Sequence, residues 1–218
     1  MNRAGLLHLG LRYLAGNRAK TSLLVAAFTL VWLLPSAIGI LVGKVETHLR
    51  SRAMDTPLVL GSAGSALELT FNALHFTKPE IATLTYRDAL DVSETGLGEA
   101  IPVYVRFTAG DNRIVGTTFD YFRFRDFSSQ EGRAFLRMGE CVIGSAVATA
   151  NGIREGDAII SSPETLVDLA GVYPLRMTVC GILDPTGTPD DDAVFVDLKT
   201  TWVIEGLGHG HKKAAEAT

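Results

Sequence analysis

Ser145, His209, His211 and the acid run Asp190-Asp191-Asp192 are the side chains whose types and spacing could do chemistry in this 218-residue chain. Ser145 follows Gly144, the arrangement that lifts a nucleophilic hydroxyl onto a strand-to-helix elbow, but the second glycine of that elbow is missing. A serine nucleophile also needs a base, and the sequence offers no histidine in a neighbouring strand or loop. Three acids in a turn could touch Ca²⁺. The alternating ligand spacing of a calcium loop is absent, so a solvated loop is the simpler reading. His209 and His211 flank Gly210 and could offer two imidazoles to Zn²⁺ or Cu²⁺. A metal site needs a third ligand that the sequence does not supply, which leaves the pair as weak candidates in a linker-like tail.

Two further patterns reduce to structure. Gly61-Ser62-Ala63-Gly64-Ser65 could cradle an anion at a helix N-terminus, but it lacks the Lys-Ser/Thr ending of a Walker loop, and no G-x-G-x-x-G occurs. A packing turn is expected. Cys141 and Cys180 lie in apolar, strand-like runs, ECVIG and MTVCGIL, where buried free thiols acting as small hydrophobes are expected over a disulfide. Neither an enzyme nor a cofactor is expected from these residues. The net charge of −4 also argues against nucleic-acid binding.

The elements that would carry any function begin with Thr21 to Gly43, TSLLVAAFTLVWLLPSAIGILVG, a run with no charged side chain. At about 1.5 Å per residue such a run crosses a hydrocarbon core roughly 30 Å thick. A helix satisfies its own backbone there, so one spanning helix is viable. Pro35 should kink it, and Gly39 and Gly43 are spaced for close helix approach. Arg3, Arg12, Arg18 and Lys20 precede the run, while no Asp or Glu occurs before Glu46. The positive-inside rule then places the N-terminus in the cytoplasm and everything after Lys44 outside.

Leu7, Leu11 and Leu14 recur at helical spacing beside Arg12 and Arg18, which predicts a short amphipathic helix on the inner membrane face. The expected organisation is a cytoplasmic segment 1–20, the span 21–43, a polar stalk 44–56, one outer domain 57–205 and a tail 206–218. The outer domain reads as α+β: short mixed strands and helices on one N-terminal transmembrane helix. Strands are expected at Pro57–Leu60, Ile101–Phe107, Arg113–Thr117, Cys141–Ile143, Gly156–Ile160, Leu175–Leu183 and Ala193–Val196. Helices are expected from Ala66 to Phe76, at Pro79-Glu80, from Ser145 to Asn151 with Gly152 as its cap, and from Asp197 to Glu205. Phe119, Tyr121, Phe122, Phe124 and Phe127 read as core packing.

Three ordered stretches, LRYLAGNRAKTSLLVAAF (Leu11–Phe28), GECVIGSAVATANGIREGDAI (Gly139–Ile159) and LRMTVCGILDPTGTPDDDAVFVDL (Leu175–Leu198), together resemble the MacB/FtsX-like ABC transporter permease family. The first is similar to that family's entry into its first membrane helix. The second resembles a strand, short helix and Gly-Asp turn of its extracytoplasmic domain, and the third resembles the block after it. The family carries three more membrane helices after this domain, so the resemblance makes the chain a fragment or a product without that half. It implies a bacterial inner-membrane permease subunit without chemistry of its own. A separate cytoplasmic ATPase would drive an outer domain that moves substrate or activates a partner. Membrane lipid, a second permease copy and a periplasmic protein are the other implied contacts. Leu7, Leu11, Leu14, Arg12 and Arg18 would then be the ATPase-coupling residues. The alternative is a single-span anchored sensor or binding module.

Overall fold

The computed structural model describes residues 3–77, 82–162 and 174–207. They fall into two units, Met1–Pro57 and Leu58–Thr218. The first holds helices α1 (Arg3–Gly16) and α2 (Arg18–Met54). Asn17 separates them, and its side-chain amide donates to the Tyr13 carbonyl at 3.3 Å. The 37 residues of α2 make a rod about 55 Å long, and the helix continues across Pro35. Thr29 and Ser36 hydroxyls donate to the Val25 and Trp32 carbonyls at 2.8 and 2.7 Å, so both are satisfied within the helix. The stretch expected as a polar stalk is helical through Met54. Glu46 and Arg50, one turn apart, pair at 2.7 Å in the order that supports a helix.

The second unit opens without the strand expected at Pro57–Leu60. Leu58 and Leu60 are 90% and 61% exposed and no strand pairs with them among the described residues, so this short apolar run joins no sheet there. Helix α3 (Ala66–His75) starts on Ser65, whose hydroxyl accepts from the Glu68 N–H at 3.3 Å, and ends at Phe76 with a φ of 54°. Of its apolar stripe only Leu74 is buried; Leu67 and Phe71 face outward. The helical turn expected at Pro79-Glu80 lies outside the described residues. Helix α4 (Tyr86–Glu94) is a further element, closed by a capping box in which Asp88 accepts from the Thr85 N–H at 2.7 Å.

The core is one mixed sheet. Strands β1 (Val103–Ala109) and β2 (Asn112–Thr117) form a hairpin on Gly110-Asp111, where Gly110 has a φ of 61°. Then come α5 (Phe119–Phe124), β3 (Ser129–Gly132), β4 (Glu140–Ile143), α6 (Ser145–Asn151), β5 (Ala158–Ile160), β6 (Arg176–Leu183), a 3₁₀ turn at Pro189–Asp192, β7 (Ala193–Asp197) and α7 (Leu198–Ile204). The order is β1-β2-β7-β4-β6-β3, with β5 also on β6. β2 runs parallel to β7 and β4 parallel to β6; the other pairs are antiparallel.

Alternate residues of the central strands enter opposite cores. Ile114, Cys141, Ile143, Val179, Val194 and Val196 join Val147 of α6 and Ile204 of α7 on one face. Val115, Val142, Cys180, Leu183 and Phe195 join Tyr121 and Phe122 of α5 and Phe76 on the other. Of the aromatics expected in the core, Phe119 and Phe124 are instead partly exposed. Ser162, just past β5, ties the far side of the sheet to the β1–β2 hairpin. Its N–H donates to the Thr108 carbonyl at 2.7 Å, and its hydroxyl accepts from the Gly110 N–H at 3.0 Å.

Two substitutions test this packing. A Cβ on Gly144 would collide with the Asp190 and Asp191 carbonyls. Gly144→Ala should therefore lower stability by about 1–3 kcal/mol, read as a lower thermal midpoint of the detergent-solubilised chain. Val179 is fully buried, so Val179→Asp buries an unpaired carboxylate and should abolish cooperative unfolding. A melt matching the parent's would contradict the register of β6.

Candidate functional site

The residues singled out for chemistry hold backbone together. Asp191 accepts from the Thr186 N–H at 2.9 Å, the Thr186 hydroxyl at 2.9 Å and the Gly187 N–H at 2.7 Å. Asp190 accepts from the Tyr121 hydroxyl at 3.0 Å and the Thr188 hydroxyl at 2.8 Å, and is 1% exposed. The loop expected to be solvated is therefore partly buried, because local N–H and O–H donors replace water around its carboxylates. Ser145 opens α6, and its carbonyl accepts from the Thr149 hydroxyl at 2.8 Å. Gly61 packs against Leu69, while the Ser62 hydroxyl donates to the Ala82 carbonyl at 2.6 Å, so the Gly61–Ser65 stretch is a packing turn. Among the described residues no group of three or more His, Cys, Asp or Glu side chains converges on a metal position. His209 and His211 lie outside the described residues.

Both cysteines are free and buried on neighbouring strands. Their side chains enter opposite cores, which keeps the sulfurs from bonding. The Cys180 thiol donates to the Cys141 carbonyl at 3.2 Å. Burial pushes the Cys141 thiol up to about 12 and that of Cys180 up to about 11, so both stay protonated and unreactive at neutral pH.

Two ionic clusters, neither anticipated from the sequence, position the surface. The first joins β1 to the end of α7. Arg106 donates to Glu205 Oε1 at 2.7 Å, and the Tyr104 hydroxyl donates to Oε2 at 3.2 Å. Burial raises the Tyr104 pKa. Helix α7 is held elsewhere by Asp197, which accepts from the Lys199 N–H at 2.8 Å, and by Tyr86 of α4, edge-on to Trp202 at 5.8 Å. Arg106 and Tyr104 are about a hundred residues from Glu205 in the chain, beyond any local sequence signal.

The second cluster folds residues 133–140 into a tight loop. Arg133 meets Glu140 through two parallel bonds of 2.8 and 2.6 Å. Glu140 Oε2 also accepts from the Leu136 and Arg137 N–H groups at 2.9 and 3.2 Å. The Glu140 N–H returns to the Arg137 carbonyl at 3.2 Å across a turn, with Gly139 at a φ of 82°. Here the glycine two positions past Arg137 was a legible turn signal. The Arg133 hydrogen bonds first, then that from the Leu136 N–H, bring the Glu140 pKa from an ordinary 4.5 down to about 2.

Pro35, Gly39 and Gly43 lie in α2, and the space at the Cβ positions of both glycines is open. Leu7, Leu11, Arg12 and Leu14 lie in α1 and Arg18 begins α2; Arg12 and Leu14 are exposed. The longest unbroken apolar stretch of the molecule is thus on a helix whose apolar window is wholly unburied, long and apolar enough to cross a membrane.

The Glu140 cluster gives a pH test. Because its folded pKa lies below 4.5, the clamp stabilises fully above that value and fades as pH falls toward 2. The thermal midpoint of the parent should therefore fall more steeply over that interval than that of Glu140→Gln. Equal slopes would show that Glu140 does not carry this part of the acid response.

No curated protein matches the sequence. The periplasmic region of MacB from Actinobacillus actinomycetemcomitans aligns with a TM-score of 0.44 at 13% identity, over 60% of this chain and 62% of that one. The extracellular domain of the noncanonic ABC-type transporter YknZ from Gram-positive bacteria aligns with a TM-score of 0.45 at 13% identity, over 68% of this chain and 75% of that one. The chain thus spans less than two thirds of the MacB region. Residues 49–213 match the model of the MacB-like periplasmic core domain, and the chain belongs to that family.

Proposed function

We propose that this chain is the N-terminal part of an ABC transporter permease, coupling a separate cytoplasmic ATPase to its outer domain. The observation that carries this reading is order: a helix able to span a bilayer leads directly into a MacB-like periplasmic core domain. Residues 1–20 lie in the cytoplasm, 21–43 in the bilayer, 44–56 in a helical stalk and 57–205 outside. The Arg and Lys excess before Thr21 supports that orientation. The outer domain works as a mechanical body: its sheet is covered on both faces, and its carboxylates tie turns and helix ends together. ATP is hydrolysed by the partner subunit. Pro35 gives α2 a weak point in its hydrogen-bond ladder, and Gly39 and Gly43 offer flat contact to neighbouring helices. α1 is the segment on which the ATPase acts, through Leu7, Leu11 and Leu14, while Arg12 and Arg18 hold it at the inner surface.

Co-purification from native membranes tests the coupling. Replacing Leu7, Leu11 and Leu14 with Ser leaves every charge in place, so topology should persist while ATPase recovery falls. Unchanged recovery at equal membrane abundance would make α1 a lipid-facing orientation signal and remove its coupling role.

The span and its direction have separate tests. Arg at Val31, near the middle of the apolar run, should cost roughly 2.5–3.5 kcal/mol of insertion and reduce membrane accumulation. Normal accumulation would displace the span. A cysteine at exposed Asp111, beside Gly110, should react with a membrane-impermeant thiol reagent from outside; labelling only after the cytoplasm is opened would invert the topology.

A further inference from the structure

The N-terminal helical stretch is interrupted at Asn17, which belongs to neither α1 nor α2. Gly16 and Asn17 are both poorer helix formers than alanine, and the space at the Gly16 Cβ position is open. In a continuous helix the Leu14 carbonyl would accept from the Arg18 N–H. Here it accepts from the Asn17 N–H at 3.3 Å and from the Thr21 hydroxyl at 3.0 Å. A straight helix separates residues 14 and 21 by about 10 Å along its axis, beyond the reach of a threonine hydroxyl. The contact therefore depends on the break in the ladder at Asn17. Hydroxyls further along α2 behave differently. Thr29, Ser36 and Thr47 each donate to the carbonyl one turn back in their own helix, at 2.8, 2.7 and 2.8 Å.

Thr21 has one hydroxyl proton and two acceptors for it, because the Asn17 carbonyl also lies 3.0 Å from the same oxygen. A bond to Leu14 ties α1 to the start of α2. A bond to Asn17 is the ordinary back-bond to the preceding turn and leaves α1 untied. Turning the O–H from one carbonyl to the other exchanges one hydrogen bond for another of the same kind. The position makes that exchange cheap. Thr21 is the first residue of the uncharged run, with Arg18 and Lys20 just before it. Water among the lipid headgroups reaches the released Leu14 carbonyl there, whereas the hydrocarbon interior would leave it unsatisfied. We infer that Asn17 is a hinge between α1 and the span, and that the Thr21 hydroxyl is its two-position latch. Bonded to Leu14, the hydroxyl fixes the bent joint; bonded to Asn17, it lets α1 swing. A two-state joint of this kind is what a partner gripping α1 can bias. The use of the latch rests on the coupling role proposed for α1; its existence does not.

The hinge is tested on the full chain in lipid nanodiscs with no ATPase present. Both native cysteines are buried, so nitroxide labels go to introduced ones. His8→Cys with Leu30→Cys places exposed labels on either side of Asn17, and Leu30→Cys with Val45→Cys places both within α2. Distances are read by double electron–electron resonance. Across the hinge the parent should show two distance populations. Thr21→Val keeps the side-chain shape and removes the donor, so one population, the latched one, should fall about fivefold, the equivalent of one hydrogen bond. Thr21→Ser keeps the donor and should restore the parent's ratio. The pair within α2 should be identical in all three, which separates a freed hinge from an unravelled helix. A single population in the parent, an unchanged ratio in Thr21→Val, or Thr21→Ser behaving as Thr21→Val would each overturn the proposal. So would a change in the α2 pair. If the Leu7, Leu11 and Leu14 substitutions leave ATPase recovery unchanged, the coupling role falls and these distances still stand or fall alone.

Discussion

Strands β4 and β7 are apolar on both faces, and the outer domain is arranged around that constraint. Cys141-Val142-Ile143 and Ala193-Val194-Phe195-Val196 are buried without a break, so neither side of the sheet centre can face water. Each face then needs its own cover. Helices α6 and α7 supply Val147 and Ile204 to one; α5, with Phe76 and Phe135, supplies aromatic side chains to the other. Phe122 meets Phe135 and Phe195 edge-on at 5.3 and 5.6 Å, which fixes α5 against the sheet by ring geometry as well as area. Close cover leaves little room, and Gly116 and Gly144 are where it shows. Gly116 lies against the Thr201 side chain and Gly144 against the carbonyls of the 3₁₀ turn.

Short strands joined by tight connections leave many backbone N–H groups outside the ladders, and carboxylates collect them. Asp88, Asp191, Asp197 and Glu140 each accept from at least one backbone N–H near a turn or helix start. A carboxylate in that position satisfies donors that would otherwise need water, and at a helix start it also faces the positive end of the helix dipole. The lone pairs of these four carboxylates are therefore engaged in holding backbone rather than poised for reaction. The two clusters that reach the surface differ. Glu205 links two elements and fixes the end of α7 to β1, whereas Glu140 with Arg133 shapes a loop and leaves that loop's own side chains outward.

Much of this was legible because the periods are strong where burial is strong. The hairpin, β4, α6 with its Gly152 cap, β6 and α7 with its Asp197 cap all follow from apolar runs punctuated by Gly and Asp. Local pattern failed where tertiary partners decide. Pro57–Leu60 reads as a strand but pairs with no strand among the described residues. Helix α4 is announced by Thr85-x-x-Asp88 and buries no residue fully. The acid run looked hydrated because Tyr121, which meets Asp190, is 69 residues away in sequence. The Arg106–Glu205 and Arg133–Glu140 pairs were hidden for opposite reasons. The first has no local trace, while the second is local and only Gly139 marks its turn.

In the proposed reading, force and geometry replace reactivity, and the secondary structure suits that exchange. A continuous helix transmits displacement along its axis because each residue is bonded to the next turn, and α2 extends about 11 residues beyond Gly43, its last residue within the uncharged run. A domain that received such displacement through a loose lobe would dissipate it in local rearrangement. One whose two core faces share the same central strands moves as a body, since displacing either layer of helices disturbs packing on a strand that also serves the other. Phe195 and Val194, adjacent on β7 and buried in opposite cores, are the smallest expression of that coupling.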